Sequence, residues 1–223
     1  MDSSKISALK TAFLPGASDR STEYKSKKLL IVLHGLGDSL EGFRDLPQFL
    51  RLPTLNYLLV NAPDSYFTGY SWFDFPGNMK PGITRSRDKL FSLLAQIQAS
   101  GYALPNVALF GFSQGCLMAV DLACRYPAAF ASVVGVSGFV GLMEDYPEKF
   151  SPVAHNQKLL ITHGTEDPLL PINAARNEFE KLKGMGMQID WREYDKVHTL
   201  DPYAEAEDIR RFLAKTLSLD LPR

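Results

Sequence analysis

"NVALFGFSQGCLMAVDLA" (residues 106–123) runs from an apolar stretch, Val107–Phe110, into Gly111-Phe112-Ser113-Gln114-Gly115, then places Leu117, Val120 and Ala123 at helical spacing. The apolar stretch reads as a buried strand, and the spacing after it as a helix over Gln114–Arg125, closed by Pro127. Strand, tight turn and helix form the setting in which G-x-S-x-G lifts a serine hydroxyl above a sheet. Side chains two residues either side of Ser113 would collide in so tight a turn, hence Gly111 and Gly115. The Gln114 N–H, at the start of the helix, is expected to point where an oxyanion forms, aided by the helix dipole. A serine that merely caps a helix would carry the same letters; the preceding strand favours a nucleophile.

Outward from this element, Leu29–Leu33, Leu55–Val60, Ser132–Val136 and Leu159–Thr162 are predicted strands, most of them apolar on both faces. Two-sided burial is what a parallel sheet covered by helices demands. Met187–Tyr194 alternates more and is expected nearer an edge. Arg87–Ala99 is a predicted helix with Leu90, Leu94 and Ile97 on one stripe, Ser86 as its N-cap and Gly101 past its end. Asn173–Lys183 and Tyr203–Leu217 complete the helices. The alternation predicts one three-layer α/β domain spanning 1–223: a mostly parallel sheet, helices on both faces, right-handed crossovers and no large lid. Residues 1–27 are expected to be a peripheral N-terminal segment, with Ser21–Lys28 exposed.

With 223 residues, 45% of them hydrophobic, the chain can bury a core without disulfide or metal staples. A net charge of −1 offers no basic excess for phosphates, which argues against a nucleic-acid partner. Cys116 and Cys124 fall on one predicted helix, roughly 12 Å apart by its rise, too far for a disulfide. Reduced thiols, an opening without a signal-peptide core and no long apolar run lead us to expect a soluble, cytoplasmic protein without stable membrane insertion.

A serine hydroxyl needs a base. His34 and His163 each end a strand before a glycine and read as structural; His155 precedes a strand, at the wrong end. His198, in "DWREYDKVHTLDP" (190–202) after the last strand, is the best base. An orienting carboxylate is expected in "LLITHGTEDPLLP" (159–171), where Asp167 stands past a strand; Glu166 is its rival, and spacing does not separate them. Asp195 and Asp201 lie too near His198 along the chain. Ser113, Asp167 and His198 each follow a different strand, and carboxyl ends of parallel strands share one edge where ligands bind. The order Ser, Asp, His is that of an α/β-hydrolase.

The strand of "KKLLIVLHGLGDSLEG" (27–42) ends at the same edge in a glycine-rich turn. A dinucleotide loop would need a third glycine where Leu40 stands and an acid where Asn61 stands. An oxyanion loop needs only an N–H, here expected from Leu36. Residues 61–85 and 138–156 are loops rich in aromatic side chains, a type that often belongs to binding sites. Trp72, Phe73, Phe139 and Leu169 are the candidates to line an acyl channel, against the plainer alternative that they are core side chains.

"LHGLGD" (33–38), "SWFD" (71–74), "GFSQG" (111–115), "VSGF" (136–139), "HGTEDPLLP" (163–171) and the His198 segment run in one order over nearly the whole chain from Lys28. In these pieces the sequence resembles the phospholipase/carboxylesterase family of α/β-hydrolases, which includes acyl-protein thioesterases. The resemblance implies Ser113, Asp167 and His198 as a triad, the Leu36 and Gln114 N–H groups as oxyanion donors, and hydrolysis of esters or thioesters without cofactor or metal. Three places depart from the family pattern: Cys116 replaces a second glycine after the elbow, "DKVHTL" lacks a glycine before the histidine, and "DSYFTGYS" precedes Trp72.

The expected function is a serine carboxylesterase for short- to medium-chain esters, with thioesters as a further class. The alternatives are a long-chain acyl-protein thioesterase or lysophospholipase, and a non-catalytic hydrolase-fold binding protein, which the complete triad disfavours. The expected partner is a small ester or thioester, and a homodimer through the aromatic loops is compatible with the sequence.

Overall fold

A computed structural model describes residues 9–17, 27–145 and 148–221. Among the described residues nine strands and five α-helices follow one another: β1 (Thr11–Leu14), β2 (Leu29–Leu33), α1 (Leu46–Leu50), β3 (Asn56–Val60), β4 (Asp64–Tyr66), β5 (Gly69–Ser71), α2 (Met79–Ala99), β6 (Val107–Phe112), α3 (Gln114–Arg125), β7 (Ser132–Val136), β8 (Lys158–Gly164), α4 (Ile172–Gly184), β9 (Gln188–Tyr194) and α5 (Ala204–Leu217). Seven strands form one sheet in the order β1-β3-β2-β6-β7-β8-β9, while β4 and β5 make a separate hairpin. Every pairing in the large sheet is parallel except that of β1 with β3.

Alternation along the central strands builds two cores, because successive side chains leave a strand on opposite faces. Leu29, Ile31 and Leu33 of β2 pack with Leu90 and Leu94 of α2, Leu117 of α3 and Phe179 of α4. Leu30 and Val32 pack with Leu46 and Leu50 of α1 and with Ile209 and Leu213 of α5. The sheet is thus covered on both sides, as the two-sided apolar strands require.

The structure departs from the sequence expectations in two places. Helix α2 begins at Met79, not Arg87, so Ser86 is no N-cap; it is buried within the helix, its hydroxyl donating to the Trp72 carbonyl at 2.5 Å. Pro81 disguises the start as a turn, yet a proline in the first turn lacks only an N–H that has no intrahelical acceptor there. The segment 1–27, expected to lie at the periphery, contributes β1 as an edge strand, while positions 21–26 of the polar stretch lie outside the described residues. Strand β9, expected near an edge, is the opposite edge. Among the described residues no helix is long and apolar enough to cross a membrane.

Candidate active site

Strand β6 delivers Ser113 at φ 54°, ψ −116°, a left-handed region that a serine occupies only under constraint from its surroundings. Its N–H is held by the Val136 carbonyl of β7 at 2.9 Å. A Cβ on Gly111 would stand 2.1 Å from the Gly115 carbonyl oxygen, and one on Gly115 would stand 2.1 Å from that of Leu33. These are the collisions the two glycines of the motif were expected to avoid. Cys116 is accommodated by glycines elsewhere: a Cβ on Gly138 would meet its Cβ at 2.3 Å, and one on Gly135 its Sγ at 2.5 Å. Burial pushes the Cys116 thiol up to about 12.

Asp167 follows β8 and is buried, while Glu166 beside it is exposed. One Asp167 oxygen, Oδ1, accepts the Leu169 and Leu170 N–H groups, each at 2.9 Å. The other, Oδ2, lies 2.7 Å from His198 Nδ1. Burial alone would raise this carboxyl, but the hydrogen bonds from Leu170, His198 and Leu169 outweigh it and hold its pKa below the usual value. The structure therefore brings Asp167, and not its rival, to the imidazole.

The loop that carries His198 from β9 to α5 is clipped by a buried ion pair. Lys196 Nζ reaches Glu205 Oε1 at 2.6 Å and Oε2 at 2.7 Å, donates to the Thr199 carbonyl at 2.7 Å, and reaches Ser137 Oγ at 3.3 Å. Glu205 Oε2 also accepts the Asp201 N–H at 2.8 Å. Lys196 and Thr199, on either side of His198 along this loop, are thereby tied to α5 and to the end of β7. Neither Lys196 nor Glu205 stood out in the sequence, where a lysine and a glutamate nine positions apart carry no signal. His163 lies fully buried beside Asp167, with Nε2 donating to the Leu170 carbonyl at 2.8 Å. Desolvation holds its pKa below the ordinary imidazole range. It is a structural residue of this wall, and His155 stands before β8, at the far end of that strand.

The opposite wall is held by hydrogen bonds between uncharged groups, and the acid Asp38 also lines the cleft there. His34 Nε2 accepts the Ala62 N–H at 3.0 Å, so its proton is on Nδ1, which donates to the Gly35 carbonyl at 2.6 Å. Burial keeps this imidazole neutral by lowering its pKa. Trp72 Nε1 donates to the His34 carbonyl at 2.9 Å. The hairpin adds Gly37 N–H to the Tyr70 carbonyl and Tyr70 N–H to that of Asp38, both at 2.9 Å. Gln114 Oε1 accepts the Trp72 N–H at 3.0 Å, and its Nε2 donates to the Phe73 carbonyl at 2.8 Å. Asn61, where a dinucleotide site would want an acid, accepts the Leu40 N–H at 2.7 Å. Among the described residues the N–H groups of Leu36 and Gln114 have no acceptor.

A cleft of about 300 Å3 joins the walls, lined by Ser113, His198, Leu36, Gln114 and, among its apolar side chains, Phe75, Phe139 and Leu169. Two of the four channel candidates, Phe139 and Leu169, thus face it. Trp72 and Phe73 do not: both are fully buried in the core, and they serve as the strut between the 34–38 loop and Gln114. Their aromatic character suggested a pocket, but it is the backbone and indole N–H groups that reach the site. Phe75 and Leu170, unremarked in the sequence, line the cleft. Among the described residues no three His, Cys, Asp or Glu side chains cluster to hold a metal ion.

A family model for phospholipase/carboxylesterase matches residues 18–217. Acyl-protein thioesterase 1 of Schizosaccharomyces pombe is 31% identical over 155 residues, covering 64% of this chain and 69% of that protein. The crystal structure of esterase PE8 superposes with a TM-score of 0.82 at 25% identity, covering 94% of this chain and 99% of the other. That of the Bacillus cereus carboxylesterase gives 0.77 at 18%, covering 93% and 94%. An elbow serine at the end of a central parallel strand, in an α/β-hydrolase fold matched along nearly its whole length, leaves one conclusion: the chain belongs to the phospholipase/carboxylesterase family of serine hydrolases.

Proposed function

We propose that the protein is a carboxylesterase for short- to medium-chain acyl groups, with Ser113, His198 and Asp167 as its triad and the Leu36 and Gln114 N–H groups as its oxyanion hole. The observation that carries this is the His198 Nδ1 to Asp167 Oδ2 bond of 2.7 Å in a ring that lines the same cleft as Ser113. With Nδ1 engaged, Nε2 is the nitrogen left to take the serine proton. Ser113 Oγ attacks the acyl carbonyl as His198 accepts its proton, and the imidazolium is stabilised by Asp167. The tetrahedral oxyanion rests on the two N–H groups that have no acceptor of their own. His198 then returns the proton to the departing oxygen or sulfur, and water releases the acyl group by the same route.

The cleft volume of about 300 Å3 supports short to medium chains, since it sits at the small end of ligand sites, roughly 300–1,000 Å3. Likeness to relatives named acyl-protein thioesterase 1 favours a second reading, long-chain thioester hydrolysis, on the same machinery. Hydrolysis of p-nitrophenyl butyrate tests the mechanism. Ser113→Ala should lower kcat by about 10⁴–10⁶ and abolish fluorophosphonate labelling. A variant as active as the parent would overturn it. Rates for butyryl, octanoyl and palmitoyl esters and thioesters separate the two substrate classes, and a maximum at palmitoyl thioester would select the second.

A further inference from the structure

A second cleft, of about 360 Å3, opens on the other side of Phe112 and shares Asp38, Phe112 and His198 with the first. The Phe112 ring is the partition, its centroid 5.0 Å from that of His198 and 6.3 Å from that of Phe43. Beyond it Phe43, Leu46, Phe49 and Leu200 form the apolar part of the wall, with Thr199 and Asp38 among its polar members. We propose that this second cleft receives the alcohol half of the ester, and that the alcohol it takes is uncharged and apolar. This rests on the reading of Ser113 as nucleophile and His198 as base.

The first cleft holds Ser113, Leu36 and Gln114, so the carbonyl and its acyl chain belong there. As the acyl carbon–oxygen bond breaks, its electron pair stays on the alcohol oxygen, which takes the proton His198 received from Ser113. The departing oxygen must then stand against the imidazole, and the imidazole is a wall of both clefts. An alcohol substituent pointing away from the acyl chain has the second cleft as its apolar continuation.

Charge narrows the class. Among the described residues neither cleft is lined by a lysine or arginine, and the one acid they share is Asp38. A phosphate-bearing alcohol or thiol would meet a carboxylate with no cation to offset it, whereas an alkyl or aryl alcohol meets two phenylalanines and two leucines. Phe49, 42% exposed on α1, is the apolar side chain at the solvent edge of this cleft.

The test holds the acyl group constant and varies the alcohol. Ethyl butyrate, n-hexyl butyrate and the butyrate of 6-hydroxyhexyl phosphate are compared for the parent, Phe49→Ser and Phe49→Lys. The parent should prefer hexyl over ethyl in kcat/KM, and Phe49→Ser should shrink that ratio about tenfold. Phe49→Lys should raise the phosphate ester relative to the hexyl ester, by about threefold or more. A hexyl-to-ethyl ratio equal in parent and variants, with turnover intact, would overturn the subsite alone. No turnover of any ester by the parent, with Ser113 unlabelled by fluorophosphonate, would remove the hydrolase reading and the subsite with it.

Discussion

The two walls of the cleft are held by different forces. On the side of Leu36 and Gln114 every clamping group is neutral: an imidazole fixed with its proton on Nδ1, an indole, an amide and backbone N–H groups. On the side of His198 the clamps are ionic: Asp167 against the imidazole, and Lys196 locked to Glu205 out of solvent. Under the proposed mechanism the division follows from what each wall meets during catalysis. A transient negative charge is best received by dipoles already aimed at it, and the carboxylate of Asp38, which lines this cleft, is not one of the clamps. A transient imidazolium is best received by a carboxylate, and burying that acid requires hydrogen bonds to every lone pair. A neutral clamp that loses its partner strands a dipole, whereas an ionic one leaves a buried charge at greater cost.

The strongest way to break the contrast is Asp167→Asn, expected to lower kcat by about 10⁴ and, because the depressed carboxyl contributes stability at neutral pH, to lower the thermal midpoint as well. Glu166→Gln, one position away but exposed, should stay within about twofold of the parent. Lys196→Met should cost about 3–5 kcal/mol in denaturant unfolding, because Glu205 is left buried without its partner. The double variant with Glu205→Leu should recover part of that loss, and a double variant no better than the single would show that the charges are not the cause. On the neutral wall, Gln114→Ala strands the Trp72 N–H and should cost only about 1–3 kcal/mol, with kcat reduced as the 34–38 loop loosens.

The smallest effect is in pH. Burial holds His34 and His163 below the ordinary imidazole value of about 6.5. As pH falls below about 6.5, the unfolded chain takes up protons that these folded sites refuse, so stability declines from there. Asp167, held below its ordinary value, gives stability that is present above about pH 4 and lost only under stronger acid. Melts at pH 7 and pH 5 therefore report the histidines: the midpoint should drop by a few degrees, about 2–4 °C. His163→Gln should flatten that drop, and an unchanged slope would assign it elsewhere.

Much of this was legible in the sequence, and the limits have physical causes. The elbow was legible because backbone contact forces glycine at 111 and 115, leaving a fixed spacing around Ser113. The choice between Asp167 and Glu166 was not, because neighbouring side chains on an irregular loop have no periodic direction, and only the packed chain shows which one is buried. Trp72 and Phe73 misled for a related reason: aromatic residues in a long loop look like a pocket when their rings are in fact core, and the useful groups are N–H donors. Strand β1 was passed over because four residues on an edge, paired on one side and only half-buried, leave little hydrophobic pattern. The Lys196–Glu205 clip joins a loop to a helix, a relation with no fixed sequence interval.

Cys116 stands three positions after Ser113, yet its sulfur is sealed inside the packing that Gly135 and Gly138 make room for. Held as a neutral thiol, it offers no anion for maleimides, iodoacetamide or peroxide to attack. Covalent inhibitors built to find sulfur should pass this enzyme by, and those built to find an activated hydroxyl should not.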